Sequence, residues 1–169
     1  RADAAVLALG GASWPRLGSD GGWAEILRAL GGAVTPLRPA NCGFAVAWSE
    51  HFKVRFEGQP LKPLGLGFGG LSLRGEAVVT ATGLEGGGLY ALSAPLREAL
   101  AASGGATLTL DLRPHLSEGE LAGRLARAAG AQSLSSRLRK AGGLSPLAVA
   151  LLREALGPAL PQTPQGLAA

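Results

Sequence analysis

The sequence predicts an α+β chain: a strand–loop–helix opening, a small antiparallel β-barrel-like unit, and a C-terminal helical bundle. Three observations predict it. Residues 43–92 break into short apolar runs separated by Gly and Pro, as strands between turns do. Beyond Pro114 the apolar residues recur at helical spacing between recognisable cap residues. Ahead of both, an apolar run at residues 3–9 stops at the pair Gly10–Gly11.

In chain order, DAAVLAL (3–9) reads as a buried strand. The loop GGASWPRLGSDGG follows, then WAEILRAL, where Trp23, Ile26, Leu27 and Leu30 share one helix face and Gly31 ends the helix. Pro36 and Pro39 break that pattern. The runs FAVAW, VRFEG, LGLGF, LSLRG, EAVVTAT and GLYAL are read as a compact antiparallel unit. Ser93 is placed as the N-cap of a helix over 94–102, stopped by Gly104 and Gly105. ATLTLDL (106–112) alternates strictly and reads as one more strand. Ser117 and Glu120 have capping-box spacing, ahead of a face made by Leu121, Leu125 and Ala128. A short helix is expected near 133–141. The last helix runs from the cap Ser145 and Pro146 to Gly157 and Pro158, and residues 160–169 read as a frayed tail.

Composition narrows the function. Gly contributes 27 and Pro 11 of 169 residues, yet 47% are hydrophobic and no collagen period exists, so the chain is globular and rich in turns. It begins at Arg1 and has no Met, which predicts a piece of a longer protein. One cysteine, Cys42, excludes an internal disulfide; its apolar setting reads as a small buried hydrophobe. His51 and His115 lack neighbouring ligand types, so no metal site is expected. No signal peptide and no apolar run of about 18 residues are visible, which predicts a cytoplasmic location and no membrane contact. The net charge is +4, and its densest basic cluster is Arg137, Arg139 and Lys140. That cluster lacks interleaved aromatics and reads as a solvated helix face, so nucleic acid is not the expected partner.

Three glycine-rich strings could carry chemistry. The loop 10–22 leaves a strand and enters a helix, with Ser19 and Asp20 ahead of the helix start. Its glycines let backbone approach a ligand, and a helix N-terminus favours anions. An ordinary turn capped by Ser or Asp explains the same residues equally well. Gly65, Gly67 and Gly70 match GxGxxG literally, but strand-like sequence follows, so a hairpin is expected instead of a dinucleotide site. In TGLEGGG (82–88) Glu85 stands among glycines within reach of a ligand, or the string is simply a flexible connection. Ser13, Ser72 and Ser93 lie outside any nucleophile elbow, and no catalytic residue is assigned.

The string ALGGASWPRLGSDG, followed by PLRPANCGF, resembles the segment after "ATGG" in the YhiN/BaiN-like NAD(P)/FAD-dependent oxidoreductases, a bacterial flavoprotein family. RGEAVVTATGLEGG resembles that family's GELLFTHxGLSGP through Gly75, Glu76, Thr80, Gly83, Leu84 and Gly86. Leu9 replaces the family's Thr, Trp14 its Tyr, and Ala81 its His, and the final Pro is lost; this wording suggests a divergent subgroup. The resemblance implies a fragment of an FAD-binding, Rossmann-like domain at 1–34, a β-barrel-like insert at 35–112, a helical subdomain at 113–160 and a tail at 161–169. It implies FAD as cofactor and NAD(P)H as reductant, with the remainder of the FAD-binding domain as partner in the same polypeptide. Gly10, Gly11, Ser13, Gly18, Ser19 and Asp20 would line the flavin, and Thr82, Gly83, Glu85 and Gly86 would face it from the insert. The insert would cap the substrate side, and the chain alone is expected to be inactive. The competing expectation is a non-catalytic module contacting nucleic acid or protein through the basic helical surface at Arg137, Arg139 and Lys140.

Overall fold

The computed structural model describes residues 1–128, 130 and 132–169. They form two compact units, Arg1–Ala40 and Asn41–Ala169. In the first, a 3-10 turn at Pro15–Leu17 precedes helix α1 (Trp23–Ala29). Gly31, at φ 85°, follows the helix as expected, and the Gly31 and Gly32 amides donate to the Arg28 and Leu27 carbonyls.

Residues 3–9 form no strand, against the sequence expectation. A strand exists only through its ladder partners, and no described segment pairs with this one. Val6 is 90% exposed, and Ile26 on α1 and Leu30 just after it also face solvent. The helical period was read correctly.

The second unit is built on a five-stranded antiparallel sheet. Its strands are β1 (Phe44–Ala45), β2 (Pro60–Phe68), β3 (Leu71–Thr80), β4 (Gly83–Glu85) and β5 (Thr109–Asp111), in the spatial order β1-β4-β3-β2-β5. β2 and β3 form a hairpin closing on the pair Phe68↔Leu71. Its two turn residues, Gly69 and Gly70, have φ of 57° and 82°, the conformation that suits the right-handed twist of the strands. The literal GxGxxG is therefore a strand and a hairpin turn. The β2–β3 register shifts between Leu61 and Leu64, where the Lys62–Pro63 peptide is cis.

Two runs read as strands are helical. VRFEG falls largely in α2 (Glu50–Phe56), and GLYAL falls in α3 (Gly87–Ala91). In α2 the Ser49 hydroxyl accepts from the Phe52 amide, and Phe52 and Phe56, one turn apart, are both buried. That cap and the i,i+4 pair outweigh the β preference of the short run. Trp48 extends the stack, with ring centroids 4.8 Å from Phe52, while Phe52 and Phe56 lie 5.2 Å apart. Helix α4 (Ser93–Ser103) starts one residue earlier than expected. Ser93 is inside it, buried, with its hydroxyl donating to the Leu89 carbonyl and accepting from the Cys42 amide.

The C-terminal part holds α5 (Glu118–Arg127), α6 (Leu134–Lys140), α7 (Pro146–Leu156) and α8 (Pro164–Ala168). The Ser117–Glu120 capping box and the Ser145 cap on α7 both form. The tail is ordered, not frayed. Leu160 is buried, α8 is capped by Thr163, and Leu167 packs into the helical core.

Helix α7 joins two apolar clusters. Leu147 and Leu151 enter the sheet core with Leu64, Leu66, Ala77 and Val79. Ala148 and Val149 enter a second core with Leu125, Leu138 and Leu144. A helix apolar on two faces is expected where it is covered on both sides. Each fully buried leucine contributes about 2 kcal/mol. Cys42 is only half-buried, so the fully buried reading of its setting is corrected.

Candidate functional site

The ten candidate residues fall on two strings, one in each compact unit. In the first, the Trp14 amide donates to the Ser19 carbonyl and the Ser19 amide to the Trp14 carbonyl, each at 3.1 Å. The 3-10 turn and Gly18 (φ 87°) make this closure possible. The Ser19 hydroxyl donates to the Gly11 carbonyl at 2.9 Å, and the Trp23 indole N–H to the Gly10 carbonyl at 3.2 Å. Asp20 Oδ1 accepts from the Gly22 amide at 2.9 Å.

Neither Ser19 nor Asp20 is the helix cap; that position is Gly22, without a side-chain bond. Asp20 also sets a carboxylate beside the start of α1, which opposes a second anion there. Asp20 therefore already meets the start of α1 through the Gly22 amide. What stays free is the stretch ahead of it. Among the described residues, the amides of Gly11, Ala12 and Ser13 and the Ser13 hydroxyl make no hydrogen bond. A Cβ on Gly11 would have no heavy atom within 4 Å.

The second string is not a flexible connection. It contains the turn from β3 into β4, strand β4 itself and the start of α3. Gly83 is fixed by packing: a Cβ there would lie 1.9 Å from the Phe44 carbonyl oxygen of β1. Its own carbonyl accepts from the Trp48 indole N–H at 3.1 Å. Gly86, at φ 124°, would set a Cβ 3.1 Å from the Ala77 Cα, and its carbonyl accepts from the Leu89 and Tyr90 amides. Thr82 and Glu85 are exposed, and their side chains make no hydrogen bond or ion pair among the described residues. Of the ten candidates, then, Gly11, Ser13, Thr82 and Glu85 keep unspent groups or open space. Gly10, Gly18, Ser19, Gly83 and Gly86 have structural roles, and Asp20 has one carboxylate oxygen committed.

None of the ten lines either of two cavities in the second unit. The larger, about 570 Å³, is apolar and lies between β1, the segment leading into β5, and α7. Its one carboxylate side chain, Glu154, is committed to the Ser49 amide and hydroxyl. The smaller, about 180 Å³, is lined by Lys62, Arg113 and His115 among others.

Charge is distributed in a way the sequence reading missed. Residues 113–160 carry seven Arg or Lys against three Glu, which is the entire +4; the rest of the chain is balanced. Counting by segment would have found it. Within the expected cluster, Arg139 and Lys140 are exposed, but Arg137 is half-buried and donates to the Gln162 carbonyl. Glu120 is held below the ordinary carboxylate range by the Ser117 amide first and its hydroxyl second, with Arg124 adding a smaller attraction. Among the described residues no group of three His, Cys, Asp or Glu could hold a metal, and no helix is long and apolar enough to cross a membrane.

Comparison with curated proteins returns no match. Comparison with protein families does: residues 38–168 match the HI0933-like protein barrel and H2TH domain, a family associated with flavoprotein oxidoreductases. The sheet-plus-helices unit at Asn41–Ala169 lies almost wholly within that match. With more than half of its length matched, the chain belongs to the HI0933-like barrel and H2TH domain family.

Proposed function

We propose that this chain is the insert, substrate-capping region of an FAD-dependent oxidoreductase of the YhiN/BaiN-like type, joined to a piece of its FAD-binding domain. The family match over residues 38–168 carries this reading. Exposed apolar side chains add support. Val6, Leu7, Trp14, Leu17, Ile26 and Leu30 all face solvent within Arg1–Ala40. Apolar surface of that kind marks a face that another part of a protein covers, and the remainder of the FAD-binding domain is the partner proposed for it.

The free groups suit a flavin. In the first unit Gly11 leaves room for close approach, and the Gly11–Ser13 amides and Ser13 hydroxyl offer donors; in the second unit, taken by itself, Thr82 and Glu85 carry a free hydroxyl and a free carboxylate. FAD, when bound, supplies the redox chemistry, with NAD(P)H as the proposed reductant. The chain's own residues would orient the cofactor and exclude water. In a polypeptide carrying both this chain and its FAD-binding flanks, flavin absorbance should bleach on addition of NAD(P)H. No bleaching by any reductant, or no flavin bound, overturns the reading.

A second reading has one observation in its favour. The confinement of the +4 charge to residues 113–160 suits a polyanionic partner on the helical part. Affinity for an oligonucleotide that falls steeply with salt, and falls further when Arg139 and Lys140 are neutralised, would support it; salt-independent binding would reject it.

A further inference from the structure

We propose that the small cavity between β2 and the start of α7 is a phosphate-binding site. It stands apart from the flavin reading, since none of its lining residues is a flavin candidate.

Lys62, Arg113 and His115 come to this cavity from two segments about fifty residues apart in sequence, and Gly143, Leu144 and Ser145 form its other wall. No carboxylate lines it, and among the described residues none of the three basic side chains makes an ion pair. Arg113 is held in place. Its amide donates to Asp111 Oδ1 at 2.8 Å, and its Nη1 donates to the Gly143 carbonyl at 2.6 Å. The loop is shaped around that guanidinium: Gly143 has φ 66°, and a Cβ there would lie 2.6 Å from Nη1. Asp111, at the end of β5, accepts from the Arg113 amide with one carboxylate oxygen and does not line the cavity.

Arg74 adds positive charge to the same linker, its Nη2 donating to the Pro114 carbonyl at 2.5 Å. On the opposite wall the Ser145 hydroxyl accepts from the Ala148 amide, which leaves its proton free to donate. Lys62 supplies a mobile ammonium, Arg113 a fixed guanidinium edge and His115 a ring N–H. An oxyanion with several acceptor oxygens answers these donors together, as a neutral ligand does not. The segment that supplies Arg113 and His115 also opens the stretch holding all of the chain's net charge.

The ligand chemistry is therefore a phosphate group, either free phosphate or the phosphodiester backbone of a nucleic acid. Amide NMR of the full chain tests it, with inorganic phosphate in one titration and an oligonucleotide lacking terminal phosphate in the other. The expected result is saturable shifts confined to the amides of Lys62, Arg113, His115, Gly143, Leu144, Ser145 and Leu147. The combined Lys62→Gln and His115→Gln change should weaken binding about tenfold. Arg124→Gln with Arg127→Gln should leave phosphate binding unchanged. Saturation with phosphate alone assigns the free anion, and tighter saturation by the oligonucleotide at the same amides assigns the polymer backbone. Diffuse shifts, no saturation with either probe, or equal binding by the Lys62/His115 variant overturns the proposal. Both changes are at exposed positions, and unchanged core amide shifts will verify the fold of each variant.

Discussion

The loop at residues 10–22 and the segment at 82–88 are similar in sequence, rich in glycine with a few polar residues, yet their glycines answer to different constraints. In the second segment neighbours and backbone angle dictate Gly83 and Gly86: β1 passes so close to Gly83 that no side chain fits, and α3 starts from a backbone angle at Gly86 that favours glycine. In the first, Gly11 and Gly18 face open space, and only Gly21, where a Cβ would lie 2.9 Å from the Ala12 Cβ, is held to glycine by a close neighbour. A glycine demanded by packing says nothing of a ligand. A glycine with room around it is where a ligand has something to gain.

Substitutions can break this contrast, and the largest effect is expected at Gly83. Gly83→Ala forces β1 away from β4 and should destabilise the second unit by about 4 kcal/mol or more, measured by denaturant unfolding. A loss near zero would mean that β1 does not hold its observed place. Gly86→Ala should cost about 2 kcal/mol by the same measurement, from backbone strain and the close Ala77 Cα. In the other loop, Ser19→Ala removes one hydrogen bond to the Gly11 carbonyl and should cost about 1 kcal/mol. Faster amide exchange at Trp14 and Ser19 would report it. Gly11→Ala should change stability by less than about 0.5 kcal/mol, while lowering flavin occupancy in the polypeptide that carries the FAD-binding flanks. A large stability loss at Gly11 would erase the distinction between the two loops.

The contrast also separates what the sequence makes legible from what it does not. Capping boxes and proline-first helices were readable because their physics is local: Ser117 with Glu120, and Ser145 with Pro146, need only neighbours along the chain. The β2–β3 hairpin was readable for the same reason, through its glycine turn. Short apolar runs were not. VRFEG became helix because Phe52 and Phe56 meet the same core, and ATLTLDL formed only a three-residue strand because only that much meets β2. Residues 3–9 have a strand's composition without a partner. At the candidate site the sequence marked both loops, but it could not say which glycines were already committed, since the atoms near Gly83 belong to a strand nearly forty residues earlier. The concentration of net charge in residues 113–160 was missed because charge was judged by local runs, whereas the imbalance lies across a whole segment.

The central claim is that this chain is one part of a flavin site and not the whole of it. Its most direct test is the amount of FAD bound per chain, measured from flavin absorbance after desalting, for the 169-residue chain alone and for the polypeptide that includes its FAD-binding flanks. Negligible flavin is expected on the first and one FAD per chain on the second. Stoichiometric FAD on the chain alone, or none on the longer polypeptide, would contradict it.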